Sequence, residues 1–126
     1  MSPGKGVRRA GDRMKGSSES MEQQGFLQWF FLKFPNVLIF HIPNGGKRSI
    51  KTAIRLKDEG VVPGVPDLFI PEWRTWIEMK RTKGCTISDA QRGVIEYLER
   101  LGYTVIVGYG AEDASRKLLE MRRKIE

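Results

Sequence analysis

The chain has one cysteine and one histidine among its 126 residues. Cys85 has no partner within the chain, so no internal disulfide can form, and a reducing compartment is expected. His41 and Cys85 are too few donors for a Cys/His zinc site. Cys85 is therefore read as structural rather than as a nucleophile. Long apolar runs are also missing. The longest apolar segment, Phe26 to Phe34, is interrupted by Gln28 and Lys33 and is far too short to span a bilayer. The first twenty residues lack the continuous apolar core of a signal peptide, so no membrane association and a cytoplasmic location are expected. No internal repeat is present.

The chain does carry positive charge. Its net charge is +7, with a pI of about 9.8, which favours a polyanionic partner, nucleic acid first and an anionic membrane surface second. The charge is uneven. Residues 1–18 hold Lys5, Arg8, Arg9, Arg13 and Lys15 against Asp12, which is +4 of the total. Residues 1–17 are rich in Gly, Ser and basic residues and read as a disordered tail, either a solvated arm or one that holds phosphates non-specifically. Residues 18–126 are long enough for a single domain with one core.

The apolar pattern predicts a helix over 18–33, capped by Ser17 or Ser18, with its second half packed deeply. Val37 to Ile42 reads as a buried strand, and Pro43 to Gly46 as a turn. A second helix is expected over 49–58, with Ile50 and Ile54 inward and Leu56 as a further candidate. Asp67 to Ile70 and Trp73 to Lys80 read as an antiparallel hairpin. An amphipathic helix over 88–101, with Val94, Ile95, Leu98 and Leu101 in its core stripe, precedes a strand over 103–107 and a helix over 112–124. This order implies an α/β fold of the α+β kind, a mixed sheet of about four strands flanked by helices.

The chemistry concentrates on the hairpin. Side chains alternate along a strand, so Glu78 and Lys80 share one face while Ile77 and Met79 share the other. With apolar residues opposite, the strand should be interior, where a charge is costly unless it is paired or bound to a metal. The hairpin returns Asp67 to the half of the strand that holds Glu78. Two carboxylates beside a lysine suit a hard divalent cation and a phosphodiester.

Other candidates have two readings each. Ser88-x-x-Gln91 matches a capping box, yet Gln91 could instead face the site. Glu19 and Gln23 lie on one helix face, and Glu22 and Gln24 compete for the same role. Asn44-Gly45-Gly46-Lys47-Arg48 could cradle a phosphate, as could any basic turn. Trp73 and Trp76 could stack on bases, although core packing suits at least one of them.

Taken in order, Ile42-Pro43-Asn44-Gly45-Gly46, Gly64-Val65-Pro66-Asp67-Leu68, Ile77-Glu78-Met79-Lys80 and Ser88-x-x-Gln91 resemble the VRR-NUC family of the PD-(D/E)XK nucleases. The resemblance spans about Glu19 to Val107. It implies a restriction-endonuclease-like core and Mg2+ or Mn2+ held by Asp67, Glu78 and the Met79 carbonyl. Lys80 would act on the attacking water, with Gln91, Glu19 and Gln23 around it. If translation began at Met21, Glu22 would have to replace Glu19. With the phosphate-cradling turn read above, DNA binding is expected to involve Gln23, Asn44, Gly45, Lys47 and Arg48. The compact form is similar to stand-alone phage and prophage members, which implies a homodimer that cuts four-way DNA junctions in the host cytoplasm. A flap or nicking nuclease and a non-catalytic DNA-binding module are the alternatives.

Overall fold

The computed structural model describes residues 18–43 and 49–125. Residues 1–17, expected to be a basic tail, and residues 44–48, with the candidates Asn44, Gly45, Lys47 and Arg48, lie outside the described residues. The element order is α1 (Glu19–Lys33), β1 (Phe40–His41), α2 (Ile50–Asp58), β2 (Leu68–Ile70), a 3-10 turn (Pro71–Trp73), β3 (Thr75–Lys80), α3 (Asp89–Arg100), β4 (Thr104–Tyr109) and α4 (Ala111–Ile125). The strands form one four-stranded sheet in the order β1-β2-β3-β4.

Strand β2 runs antiparallel to both β1 and β3. The β3–β4 pair is parallel. Thr104 N–H donates to the Arg74 carbonyl at 3.0 Å and Gly110 N–H donates to the Lys80 carbonyl at 2.9 Å, so both strands advance together. A parallel pair needs a crossover, and α3 supplies it. The sheet is therefore mixed and flanked by helices, as the order of elements implied.

The chain divides into two compact units. One comprises, of the described residues, 18–35, 79–86 and 107–125. In it α1 packs on α4, and Phe26, Phe30, Met79, Ala114 and Leu118 are buried. Ser18 caps α1 by accepting from Met21 N–H at 3.1 Å. Gly108 lies so close to Ala114 that a Cβ there would overlap it, which lets β4 and α4 approach. The other unit comprises residues 36–78 and 87–106, with Leu68, Ile70, Thr75, Ile77, Leu98 and Ile106 in its core.

Several expectations are corrected. The buried strand over 37–42 is only the two-residue edge strand β1, with Leu38 and Phe40 exposed. Among the described residues it has a single strand neighbour, β2, which makes it an edge strand of the described sheet. Ile50 and Ile54 do not face inward; they are 81% and 57% exposed. Helical spacing puts them on one face, but among the described residues that face is not buried. Leu101 is likewise 52% exposed, because it is the C-cap of α3 and lies beyond its buried stripe. In α1, Phe31 and Leu32 are exposed while Phe26 and Phe30, on the opposite face, are buried. Trp73 belongs to the 3-10 turn rather than to β3, because Pro71 starts that turn and Arg74 ends it at φ 49°. Among the described residues no helix is long and apolar enough to cross a membrane.

Candidate metal centre

Strand β3 places the central residues. It lies between β2 and β4, so both of its edges are hydrogen-bonded and both of its faces can be covered. Ile77 and Met79 are fully buried on one face. On the other, Glu78 is 2% and Lys80 7% exposed. Charges this buried demand partners, because leaving them bare costs several kcal/mol, on the order of what a whole buried pair can offset.

The hairpin register brings the second carboxylate. Leu68 pairs with Ile77, so one step outward Asp67 stands opposite Glu78, on the same face of the sheet. Ligand oxygens of the two carboxylates lie within 4.8 Å of each other. Asp67 is held through its main chain. Its carbonyl accepts from Ile42 N–H at 2.8 Å, and His41 Nδ1 lies 3.0 Å from the same oxygen. Buried Pro66 restricts the backbone just before it. The short edge strand β1 thus fixes the aspartate, a role for His41 that its sequence context did not reveal.

Gln91 resolves its two readings by fulfilling both. Its backbone N–H donates to Ser88 Oγ at 3.1 Å, and its Oε1 accepts from Ser88 N–H at 2.9 Å, which closes the capping box. Its Nε2 donates to Glu78 Oε2 at 2.9 Å. The amide has a donor end and an acceptor end, so one side chain caps α3 and orients a carboxylate. Gly64 makes this possible. It sits at φ +91°, and a Cβ there would lie 2.5 Å from the Ala90 carbonyl and 2.8 Å from Gln91 N. Only glycine lets the loop before Asp67 pass this close to the start of α3.

Lys80 follows Glu78 on the same face. The Met79 side chain is buried on the opposite face, so only its main-chain carbonyl is available as a donor atom. Glu19 and Gln23 stand on α1 in the other unit, Glu19 as its first residue. Their competitors have structural roles. Glu22 Oε1 accepts from Ala111 N–H at 2.7 Å, at the start of α4, and Gln24 Nε2 donates to Ser20 Oγ at 3.1 Å. In the loop after β3, Arg81 Nε donates to Cys85 Sγ at 3.4 Å. That hydrogen bond holds the thiol below its ordinary pKa and raises the guanidinium, with a smaller contribution to the latter from the charge of Glu19. Arg81 had no sequence signal beyond its place after Lys80.

Trp76 shares the face of Glu78 and stacks on Phe69, with ring centroids 4.2 Å apart. With Val62, Val65, Val94, Tyr97 and Leu98 it also lines an apolar cavity of about 310 Å3. Its role in packing is thus established.

The donor set fits a hard divalent cation. Asp67 and Glu78 offer carboxylate oxygens, the ligands that Mg2+ and Mn2+ prefer, with no thiolate or imidazole to favour a softer metal.

No protein-family model matches the chain, and no curated protein matches it. Among solved structures, a VRR_NUC domain protein shares the fold, with a TM-score of 0.68 and 24% identity, over 83% of this chain and 88% of that one. The fold expected from the sequence motifs is the fold observed.

Proposed function

We propose that this chain, which has the fold of a VRR_NUC domain, is a metal-dependent endodeoxyribonuclease of that family, with residues 18–126 as its nuclease domain. The observation that carries the reading is the Asp67–Glu78 pair on one sheet face, with Gln91 hydrogen-bonded to Glu78 and Lys80 two residues further along. Asp67 and Glu78, with the Met79 carbonyl as a further oxygen, would hold Mg2+ or Mn2+, and the sequence motifs add Glu19 to the catalytic set. Bound there, the ion supplies Lewis-acid charge at the scissile phosphate. Lys80 positions the attacking water, whose proton passes to solvent, its ammonium stabilises the charge that develops on the phosphate, and the departing O3′ takes a proton from solvent. The water oxygen bonds to phosphorus as the P–O3′ bond breaks, which leaves a 5′-phosphate and a 3′-hydroxyl. Gln91 keeps Glu78 oriented, and the sequence motifs make Gln23 a candidate for DNA binding.

Structured DNA is the proposed substrate, with a four-way junction foremost. Two copies related by a twofold axis would cut it symmetrically. The excess positive charge supports a DNA partner.

The test is a cleavage panel of four-way junction, flap, single strand and plain duplex, in Mg2+, in Mn2+ and in chelator. Cutting in metal alone is expected, with paired symmetric nicks in the junction. Asp67→Ala, Glu78→Ala and Lys80→Ala should each abolish it while sparing DNA binding. Full activity in chelator or in all three variants overturns the reading. Flap products without paired nicks would redirect the substrate and leave the chemistry standing.

A further inference from the structure

The metal centre leaves one strongly basic feature unused. In the unit built on α1 and α4, a cavity of about 330 Å3 is lined by Lys33, Phe34, Leu119, Arg122 and Arg123. Lys33 ends α1 and Phe34 is its C-cap, while Arg122 and Arg123 belong to the last turn of α4. Lys33 and Arg123 are exposed and Arg122 is half-buried.

Cations at a helix end have an ordinary explanation, because they complement the negative end of the dipole. Here that explanation falls short. Two helix carboxyl ends amount to about −1 charge in all, at roughly half a charge each. Even with the half-buried Arg122 set aside, Lys33 and Arg123 line the cavity and Lys124 follows in sequence, with no carboxylate among the lining residues. Glu120, one turn before Lys124, is bonded to Arg116 at 2.9 Å and does not offset them. Among the described lining residues, Lys33 and Arg123 set against about −1 leave a surplus of about one positive charge, on the same half-charge basis. The cavity also has an apolar part to its lining. Phe34 is fixed edge-on against Trp29 and tilted against Phe30, with centroids 6.1 and 5.3 Å away, and Leu119 lines the cavity with it. A concave site lined by exposed cations and by apolar side chains suits a sugar-phosphate unit, with the anion on the cationic groups.

We propose that Lys33 and Arg123, with Arg122 beside them, form a binding site for the phosphate backbone of DNA, separate from the metal centre. This rests on the nuclease reading, since it takes the substrate of that reading as its ligand. The site touches phosphate and sugar alone, so it adds affinity without sequence preference.

The test uses the full chain in chelator, where binding is read without cutting. Duplex binding is measured by fluorescence anisotropy over a range of salt for wild type, for Lys33→Gln/Arg123→Gln and for Arg116→Gln. Arg116 lies on the same helix, but its charge is already engaged by Asp113 and Glu120. The double variant should weaken binding about tenfold and flatten the slope of log K against log salt by about 0.9 for each phosphate no longer neutralised. Arg116→Gln should leave the slope unchanged. Thermal unfolding of each variant is followed in parallel. An unchanged slope with a lowered unfolding midpoint would show that the cations serve the helix ends, and would overturn the proposal. So would loss of binding to anionic lipid vesicles with DNA binding intact. If wild type cuts DNA and the slope does not move, this inference alone fails. If wild type neither cuts nor binds DNA, the nuclease reading fails with it.

Discussion

Strand β3 buries charge, and helix α2 exposes isoleucine. Glu78 and Lys80 are almost completely withdrawn from water, while Ile50 and Ile54 stand in it. Both regions invert the ordinary preference, but at different cost. An exposed isoleucine forgoes the benefit of burial, roughly 1.5–3 kcal/mol per side chain, and such residues are common on protein surfaces. A buried carboxylate must be compensated by specific partners, and here one is visible, the amide of Gln91 on Glu78, while Asp67 opposite adds a like charge that a bound cation would offset. A buried charge with placed partners is therefore the stronger sign of function.

Glu78→Gln puts that contrast to its most severe trial. If Glu78 is buried for chemistry, the change should remove cleavage by roughly a thousandfold or more, equivalent to about 4 kcal/mol of lost transition-state stabilisation. Its urea midpoint should hold or rise, since a buried charge is gone. A variant that loses stability and activity together would make Glu78 a structural residue. Next in size is Gly64→Ala. The positive φ and the close approach to Ala90 predict a loss of about 2–3 kcal/mol, measured by urea unfolding, and reduced cleavage even where the variant is folded.

A pair of changes separates the two tasks of Gln91. Ser88→Ala removes the cap at a cost of about 1 kcal/mol but leaves the bond to Glu78, so cleavage should persist. Gln91→Ala loses both and should cut about tenfold more slowly than Ser88→Ala at equal folded fraction, about 1.4 kcal/mol in the barrier. Equal rates in the two variants would reduce Gln91 to a cap. The smallest effect is expected on α2. Ile54→Lys should shift stability by no more than about 0.5 kcal/mol in thermal or urea unfolding, as at other exposed positions. A large loss would mean that this face is covered after all.

The parts of the site legible in sequence were those set by local rules. Alternation along β3 put Glu78 and Lys80 together, the short Pro71–Glu72 connection made the hairpin antiparallel, and Ser88 three residues before Gln91 marked the start of α3. The failures came where a neighbour decides. Val37 to Ile42 has strand-forming residues, yet the regular strand is limited to Phe40 and His41, with one further bond from Ile42 N–H to the Asp67 carbonyl. A pattern of apolar residues runs Trp73 into β3, because the left-handed Arg74 that ends the turn leaves no mark in such a pattern. His41 and Arg81 gave no signal, since each acts through a partner distant in sequence or through a loop conformation.

The order of the elements, the face of β3 that carries charge and the residue types able to hold a hard cation were all set within the sequence. They follow from periodicity, capping and ligand chemistry, which act over a few residues. Three features arose only on folding: Asp67 stands opposite Glu78, Gln91 reaches Glu78 while it caps α3, and Gly64 gives the loop room to pass. Those depend on strand register and on the approach of separate backbones, which no local stretch of the chain encodes on its own.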